Sequence, residues 1–415
     1  MEPDSVIPLF LALGLILIAA RIAGAVARRL GQPRVLGELV VGLLLGPTLF
    51  GLFQSSFLGL DSPAIAQTIE ELAQLGVLLL MFYIGMEVQL SELARVGNVG
   101  ILAGVGGSLL TVAFAALFLL FFAYTWQLAL FAGVALAATS VSISAQVLLE
   151  LGLLRTKVGS ALLAAALIDD IVAILLVSVV VPVITHGGEI DPWSMAGIVA
   201  RIVVYLGLAG LTTWFVVPRM LNWINAQRYL EESYGVPALA LALVLLYGWS
   251  AVYFGGVAAI TGAFIAGIGV ARVKTGVKRQ IEEAITNLAY VFLVPIFFVS
   301  IGLSADLRGI SLSILPLALG LLAAAVGGKI LGCGLGALGG GLRRHEALQL
   351  GVSMIPQGEV SLIVASLGIS AGIFKASDPL FLALFLTVLL TTILAPMFVR
   401  RVFRTSSTAP LAGGG

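Results

Sequence analysis

The stretch AAALIDDIVA, residues 164–173, places two adjacent carboxylates, Asp169 and Asp170, in the middle of an apolar run from Val158 to Val183. A run of about 25 apolar or small residues is long enough to cross a bilayer as a helix. Charged side chains at that depth are costly, and they normally face a water-filled cavity or a partner charge. Successive helical residues point about 100° apart, so one carboxylate can meet a counter-charge while the other faces a cavity. The stretch therefore predicts a membrane helix with a functional site.

A static salt-bridge network that only fixes helix packing is the alternative interpretation. A single Asp would be enough for such a network, and hydrophobic replacement of a buried ion pair usually does no worse for stability. The adjacent pair therefore favours the functional interpretation.

The composition of the whole chain indicates a membrane protein. Of its 415 residues, 60% are hydrophobic and 10% are charged, whereas a soluble domain typically has about 25% charged residues. The net charge of +1 gives no reason to expect a nucleic acid as partner. One cysteine, Cys333, and two histidines exclude a disulfide framework and a usual zinc site. We expect an all-α polytopic membrane protein that has no cofactor and is not an enzyme, since no catalytic nucleophile or phosphate loop is evident.

Apolar segments separated by charged clusters and Gly or Pro breaks predict about 13 transmembrane helices. Most Lys and Arg residues fall in alternate loops between these segments. Because cytoplasmic loops carry the excess of basic residues, we expect a multi-pass protein of the plasma or inner membrane. Its N-terminus would lie outside and its C-terminus in the cytoplasm. The first segment has no basic region before it, which favours a retained helix over a signal peptide.

Short matching motifs indicate an internal repeat. Phe82–Met86 resembles Val299–Leu303, and the same offset carries Thr139-Ser140 onto Pro356-Gln357. Counterparts lie an odd number of segments apart, so the two repeats would cross the membrane in opposite directions. Inverted repeats in an all-helical membrane protein predict a secondary transporter with its site near the middle of the membrane. Chance similarity between apolar helices is the alternative, and a constant offset argues against it.

The repeat defines the predicted domain organisation. A weaker match aligns Gly37 and Gly42 with Gly262 and Gly267. The expected parts are a first helix with its cytoplasmic loop (1–34), a first inverted five-helix repeat (35–184), two linking helices (185–256), a second five-helix repeat (257–404) and a disordered tail (405–415). The first repeat then carries both aspartates.

Two segments at matched positions of the repeats, 127–150 and 346–373, contain helix-breaking or polar residues. These are Thr139, Ser140, Ser142 and Ser144 in the first segment and Pro356, Gln357, Gly358 and Glu359 in the second. Pro removes a backbone donor and Gly loosens the helix, so carbonyls and half-helix ends can face a cavity. A polar packing face and a simple proline kink are the alternatives. The matched positions favour crossed, discontinuous helices.

Lys329 is a lysine deep within an apolar run of the second repeat. By the repeat offset it corresponds to Val112, one segment before the first crossing helix, whereas the two aspartates lie one segment after it. If the two halves pack around a pseudo-two-fold axis, Lys329 can approach the aspartates. A snorkelling lysine near a helix end is the alternative.

Five motifs together carry a family resemblance. They are ATSVSISAQVLLELG (138–152), ALIDDIVAILL (166–176), VPIFFVSIG (294–302), GGKILG (327–332) and PQGEVSLIVASLG (356–368). In these motifs, and over nearly its whole length, the chain resembles the bacterial monovalent cation/proton antiporters of the NapA type. The membrane domains of glutathione-gated potassium efflux systems are more distant relatives.

The resemblance implies a homodimer with a panel domain at the subunit contact and a core domain that carries the ion in an elevator-like movement. By motif, Asp170 corresponds to the carrier of cation and proton, and Asp169 to the salt-bridge partner of Lys329. Thr139 and Ser140 correspond to crossing-helix residues near the ion. The paired aspartates are the pattern of electrogenic members, which exchange more protons than cations. The implied cellular role is pH homeostasis.

The resemblance also implies supporting roles in the crossing for Ser142, Pro356, Gln357 and Glu359. One position departs from the family pattern, because Gln357 stands where the family usually has an arginine. Any role of that charge in the pH response, or in pairing with Glu359, is therefore left open for this chain.

The expected cargo is Na⁺, with Li⁺ and K⁺ open, because carboxylate, hydroxyl and carbonyl oxygens can hold all three. Protons, the lipid bilayer and a second copy of the chain are the other expected partners. The rival interpretation is a potassium efflux channel or K⁺/H⁺ exchanger related to the glutathione-gated systems. Those relatives usually carry Gln-Asp in place of Asp169-Asp170 and a cytosolic nucleotide-binding domain, which we do not expect here. An organic-anion symporter of a ten-helix plan fits poorly with Lys329.

Overall fold

The computed structural model describes residues 3–52, 60–87, 95–185, 192–227, 234–304, 308, 312–370, 372–375 and 378–407. Within these ranges the chain is helical and contains no β-strand. Ten helices of this part of the chain are long and apolar enough to cross a membrane. The protein is therefore an all-α, multi-pass membrane protein. The predicted tail lies mostly outside the described residues.

The helices follow one another along the chain. In order they are α1 (Pro3–Arg29), α2 (Arg34–Leu45), α3 (Pro63–Glu87), α4 (Gly97–Phe121), α5 (Trp126–Ala137), α6 (Val141–Glu150), α7 (Lys157–Thr185), α8 (Pro192–Asn225), α9 (Gly235–Ser250), α10 (Ala259–Val270), α11 (Thr275–Leu288), α12 (Val294–Leu303), α13 (Leu315–Gly339), α14 (Arg344–Ser353), α15 (Glu359–Ser370) and α16 (Pro379–Ser407). A π-helical turn continues α9, and another joins α11 to α12.

The helices form two compact units. Unit 1 consists of Met1–Leu90 and Pro192–Gly309, and unit 2 consists of Ser91–Asp191 and Ile310–Gly415. Each unit thus combines a segment from the first half of the chain with a segment from the second half. Both predicted repeats contribute to both units.

Long apolar side chains lie on the outside of unit 1. On α1, Phe10 is 67% exposed, and on α8, Leu208 is 59% exposed. Exposed apolar side chains of this size would be an aggregation hazard in water if they formed a patch. Exposed apolar faces of this kind are typical of helices that cross a membrane.

Two helix pairs of unit 1 cross with their backbones in direct contact. A Cβ atom on Gly42 of α2 would lie 2.1 Å from a backbone carbonyl oxygen of α12, and one on Gly302 of α12 would lie 2.4 Å from a carbonyl oxygen of α2. In the second pair, a Cβ atom on Gly85 of α3 would lie 2.3 Å from a carbonyl oxygen of α10. One on Gly267 of α10 would lie 2.2 Å from a carbonyl oxygen of α3. Small residues allow this close approach, which drives helix association in lipid.

Unit 2 is built around α4, which packs against both α7 and α13. A Cβ atom on Gly104 would lie 2.7 Å from the carbonyl oxygen of Ala165 in α7, and one on Gly106 would lie 2.7 Å from that of Gly332 in α13. Two different faces of α4 therefore allow close backbone approach. As a result, the helix with the two aspartates and the helix with Lys329 both lie against the same neighbour.

Candidate functional site

Asp169 and Lys329 form a salt bridge inside unit 2. The Nζ atom of Lys329 lies 2.8 Å from Oδ1 of Asp169, and both side chains are fully buried. In real proteins, removing a charge from water costs on the order of several kcal/mol per ion. Only close pairing with further hydrogen bonds offsets that cost. The structure therefore pairs the two intramembrane charges that the sequence predicts to meet.

Ser108 of α4 is a third member of this buried group. Its Oγ lies 2.5 Å from the same Oδ1 atom of Asp169 and 3.0 Å from the carbonyl oxygen of Gly104, one turn earlier. Within the described part of the chain, Oδ2 of Asp169 has no hydrogen-bond partner. One oxygen of the carboxylate is therefore fixed by two donors, whereas the other has no protein donor there.

Asp170 has different surroundings from those of its neighbour. Its relative exposure is 9%, whereas that of Asp169 is 0%. The change of about 100° in direction between successive helical residues accounts for this difference. One carboxylate of the pair is thus enclosed with a lysine, and the other keeps some accessible surface.

The crossing segments are both interrupted. The first breaks between α5 and α6, at residues 138–140, and the second between α14 and α15, at residues 354–358. The two breaks bind each other, because the backbone N–H of Ser140 donates to the carbonyl oxygen of Pro356 at 2.8 Å. The backbone N–H of Ser140, just before α6, is therefore satisfied by the other break.

Side chains add further bonds between the two breaks. Nε2 of Gln357 donates to the carbonyl oxygen of Leu136 at 2.6 Å, and the hydroxyl of Ser361 donates to that of Ala138 at 2.9 Å. Gln357 is fully buried. The Gln357 amide thus caps one of the last carbonyls of α5.

The predicted hydroxyl residues lie at the first break. Thr139, Ser140 and Ser142 are buried, with relative exposures of 3%, 2% and 0%. Oγ of Ser140 lies 3.0 Å from Oγ of Ser142, and Oγ1 of Thr139 lies 3.5 Å from the carbonyl oxygen of Met354. Glu359 is the first residue of α15, and its side chain lies outside the described part of the structure.

The helix with the aspartates packs against both interrupted segments. α7 contacts α5 and α6 of the first segment and α14 of the second. Among the described residues, no group of three His, Cys, Asp or Glu side chains is arranged to hold a metal ion. The polar groups offered by α7 and by the breaks are carboxylate, hydroxyl and carbonyl oxygens, which are ligands for a hard cation.

Sequence reasoning missed Ser108, and also Thr391 and Thr392 of α16, which bind Gln357. Each is a small hydroxyl residue within an apolar helix. Such residues usually bond to their own helix, as Thr111 does with Gly107 at 2.7 Å. Only the register between helices, which the sequence alone does not define, distinguishes Ser108 from Thr111.

Comparison with known proteins assigns a family. A family model described as "Sodium/hydrogen exchanger, transmembrane" matches residues 15–405. The chain is 33% identical over 397 residues to the Na⁺/H⁺-K⁺ antiporter GerN of Bacillus cereus, covering 95% of this chain and 96% of GerN. It is 34% identical over 372 residues to the probable Na⁺/H⁺ antiporter GerT of the same organism, covering 89% and 93%.

The fold is also similar to that of a solved structure. The sodium proton antiporter MjNhaP1 from Methanocaldococcus jannaschii superposes with a TM-score of 0.71 at 20% identity, and the match covers 100% of both chains. At this identity the similarity supports the fold and not the details of the site.

Proposed function

The chain belongs to the sodium/hydrogen exchanger family, and from this we propose that it exchanges a monovalent cation, preferably Na⁺, for protons across the membrane. The observation that carries the proposal is the difference in surroundings between two adjacent aspartates. Asp169 is enclosed with Lys329, and Asp170 keeps accessible surface beside it. A purely structural ion pair would need only the first.

In this proposal, Asp170 binds the cation and the proton in turn. A carboxylate that holds a cation is favoured in its ionised form, and a protonated carboxylate no longer attracts the cation. The two ligands therefore exclude each other at one site. Exchange follows if the protein changes between its outward-facing and inward-facing states only when Asp170 has bound either the cation or the proton. Thr139 and Ser140, at the neighbouring break, would supply further oxygen ligands.

Asp169 and Lys329 would add a second charge change to the cycle. A buried ion pair is rarely the most stable solution for a helix contact, and Oδ2 of Asp169 has no protein donor in the described part of the chain. We infer that the pair opens during transport and releases a proton in addition to that of Asp170. More protons than cations would then move in each cycle, and exchange would be electrogenic.

Two features support the proposal that ten of about 13 helices form two inverted five-helix repeats. The crossing of Gly42 with Gly302 and the crossing of Gly85 with Gly267 have the same close backbone geometry. The motif offsets pair Gly42 with Gly267 and Gly85 with Gly302, so the repeat exchanges one crossing for the other. The matched breaks of the two interrupted segments are the second feature.

We further propose that unit 2 is the core that carries the ion in an elevator-like movement, and that unit 1 is the panel of a homodimer. The two aspartates, Lys329 and both helix breaks all belong to unit 2. The exposed apolar helices α1 and α8 of unit 1 are available for a subunit contact or for lipid. The N-terminus would lie outside and the C-terminus in the cytoplasm.

The name of GerN includes K⁺ beside Na⁺ and H⁺, so K⁺ is a specific second candidate for the exchanged ion. The named relatives are antiporters, which gives no support to the alternative of a potassium efflux channel.

The test is a flux assay with the purified protein in liposomes that contain a pH-sensitive dye. Pulses of Na⁺, Li⁺ and K⁺ are applied separately at equal ionic strength. We expect Na⁺ to drive proton movement most strongly. Cation movement without any proton movement would support the channel, and no response to any of the three cations would overturn the proposal.

A further inference from the structure

We propose that Thr391 and Thr392 of α16 are positioning residues for the cation site, and that they act through Gln357. This inference rests on the proposed function, because it assigns the break at Thr139 and Ser140 to cation binding. It adds a helix, α16, in which the sequence indicates no site residue.

The two threonines bind both backbone groups of one residue in the second break. The N–H of Gln357 donates to Oγ1 of Thr391 at 3.3 Å, and the hydroxyl of Thr392 donates to the carbonyl oxygen of Gln357. All three residues are almost completely buried. Because Gln357 lies between α14 and α15, neither backbone group has a helical partner among the residues that the structure describes. A backbone N–H or C=O group without a hydrogen bond inside the membrane has a free-energy cost on the order of several kcal/mol.

The hydrogen-bonding capacity of the threonines matches these tasks. Thr391 donates its own hydroxyl proton to the carbonyl oxygen of Val388 at 2.8 Å, so its oxygen is free to accept from Gln357. Thr392 instead uses its proton for the carbonyl oxygen of Gln357. Adjacent hydroxyls on one helix thus serve a donor and an acceptor of the same residue.

Gln357 also connects α16 to the first break. Its side chain donates to the carbonyl oxygen of Leu136, in the last turn of α5, at 2.6 Å. Its chain neighbour Pro356 accepts from the backbone N–H of Ser140 at 2.8 Å. A continuous hydrogen-bonded path therefore runs from α16 through Gln357 to the residues that precede α6.

Loss of one threonine hydroxyl would leave a backbone group of Gln357 buried without a partner. The break would then relax, and Pro356 and Gln357 would move relative to Ser140. Ligand geometry tolerates shifts of only about 0.5 Å in a preorganised site. We therefore expect weaker cation binding, seen as a higher KM, with the maximal exchange rate largely retained.

Thr387 provides a matched control on the same helix. It is fully buried, and its hydroxyl binds the carbonyl oxygens of Ala383 at 2.8 Å and of Ala318 in α13 at 3.2 Å. Both partners lie in continuous helices. Thr387→Val therefore removes a buried hydroxyl of α16 that has no bond to either break.

The test compares Thr391→Val, Thr392→Val and Thr387→Val in two measurements. In liposomes, the first two variants should raise the KM for Na⁺ about tenfold, which is the effect of one lost hydrogen bond to a buried group. Thr392→Ser, which keeps the hydroxyl, should restore the wild-type KM. Thr387→Val should keep it as well. Equal KM values in all variants, or a loss of maximal rate at unchanged KM, would overturn the inference.

The second measurement does not depend on transport. Amide hydrogen exchange over residues 137–145 should become faster in Thr391→Val and Thr392→Val but not in Thr387→Val. Faster exchange confined to α16 and to residues 354–358 would overturn the inference. If the wild type moves no protons in response to cations, the proposed function fails. The amide hydrogen exchange measurement still decides whether α16 positions the first break.

Discussion

The side-chain nitrogen of Lys329 lies 2.8 Å from Oδ1 of Asp169, although the two residues are 160 positions apart in the chain. Both are fully buried in unit 2. A pair of this kind contributes little net stability compared with apolar residues, but each member depends strongly on the other. That dependence can be measured.

Lys329→Met should lower the free energy of unfolding by about 3–5 kcal/mol, because it leaves the carboxylate of Asp169 buried without its cation. The double variant Asp169→Asn/Lys329→Met removes both charges and should recover much of this loss. Thermal or denaturant unfolding of the purified protein in detergent provides the measurement. A double variant no more stable than Lys329→Met would show that the two charges do not depend on each other.

Asp170→Asn should abolish cation-dependent proton flux in liposomes while the protein stays folded. The amide cannot bind and release a proton, and it holds a cation more weakly than a carboxylate does. Glu283→Gln is a control, since Glu283 belongs to an exposed pair with Arg279, and it should keep wild-type flux. Retained flux in Asp170→Asn would remove Asp170 from the carrier role.

Wild-type exchange should respond to an imposed membrane potential, and Asp169→Asn, if active, should not. In the variant the ion pair with Lys329 is gone and can no longer release its proton, so one proton would be exchanged for one cation. Flux is compared at zero potential and at a diffusion potential of either sign that is set with an ion the protein does not exchange. Wild-type flux that is indifferent to the potential would make the Asp169–Lys329 pair a structural clamp in a one-for-one exchanger.

Ser108→Ala should lower the free energy of unfolding by about 1.5–3 kcal/mol, the usual contribution of a hydrogen bond to a charged group. In the background of Asp169→Asn the same change should cost less, because the charged acceptor is gone. Thr111→Val, which removes a hydroxyl bonded within α4, is the matched control. Equal effects of Ser108→Ala in both backgrounds would exclude a coupling between Ser108 and Asp169.

Gly42→Ala should strongly destabilise unit 1, because its Cβ would lie 2.1 Å from a carbonyl oxygen of α12 and the backbone on either side cannot yield. Gly207→Ala is the control: a Cβ there meets no atom within 4 Å, and Ala is favoured over Gly in a helix by about 1 kcal/mol. Unfolding temperatures in detergent should fall for the first variant and stay level or rise for the second. Equal unfolding temperatures would show that the crossing tolerates a wider separation.

The sequence predicts much of the fold because membrane helices are long, apolar and bounded by charges. The helical class and the membrane location follow from composition and segment length alone. The positions of Asp169, Asp170 and Lys329 stand out because each is a charge within an apolar run. The proline and glycine at 356 and 358 likewise indicate where a helix is interrupted.

The contacts between helices could not be derived in the same way. Ser108 and Thr111 lie three residues apart in one apolar helix, yet only Ser108 meets Asp169. Which of them does so depends on the rotation of α4 against α7, and that rotation is set by backbone contacts at glycines on several helices. The residues of each unit could not be derived from the order of the segments, because each unit combines two distant pieces of chain.

The separation of Asp169 from Lys329 along the chain also has a consequence for biosynthesis. Synthesis proceeds at about 5–20 residues per second, so α7 leaves the ribosome roughly ten to thirty seconds before Lys329 is made. Insertion of an aspartate at the centre of a membrane helix costs about 2.5–3.5 kcal/mol, and α7 must enter the membrane with two of them and no lysine. The long apolar remainder of α7 therefore keeps this helix inserted in the membrane until Lys329 has been synthesised and can pair with Asp169.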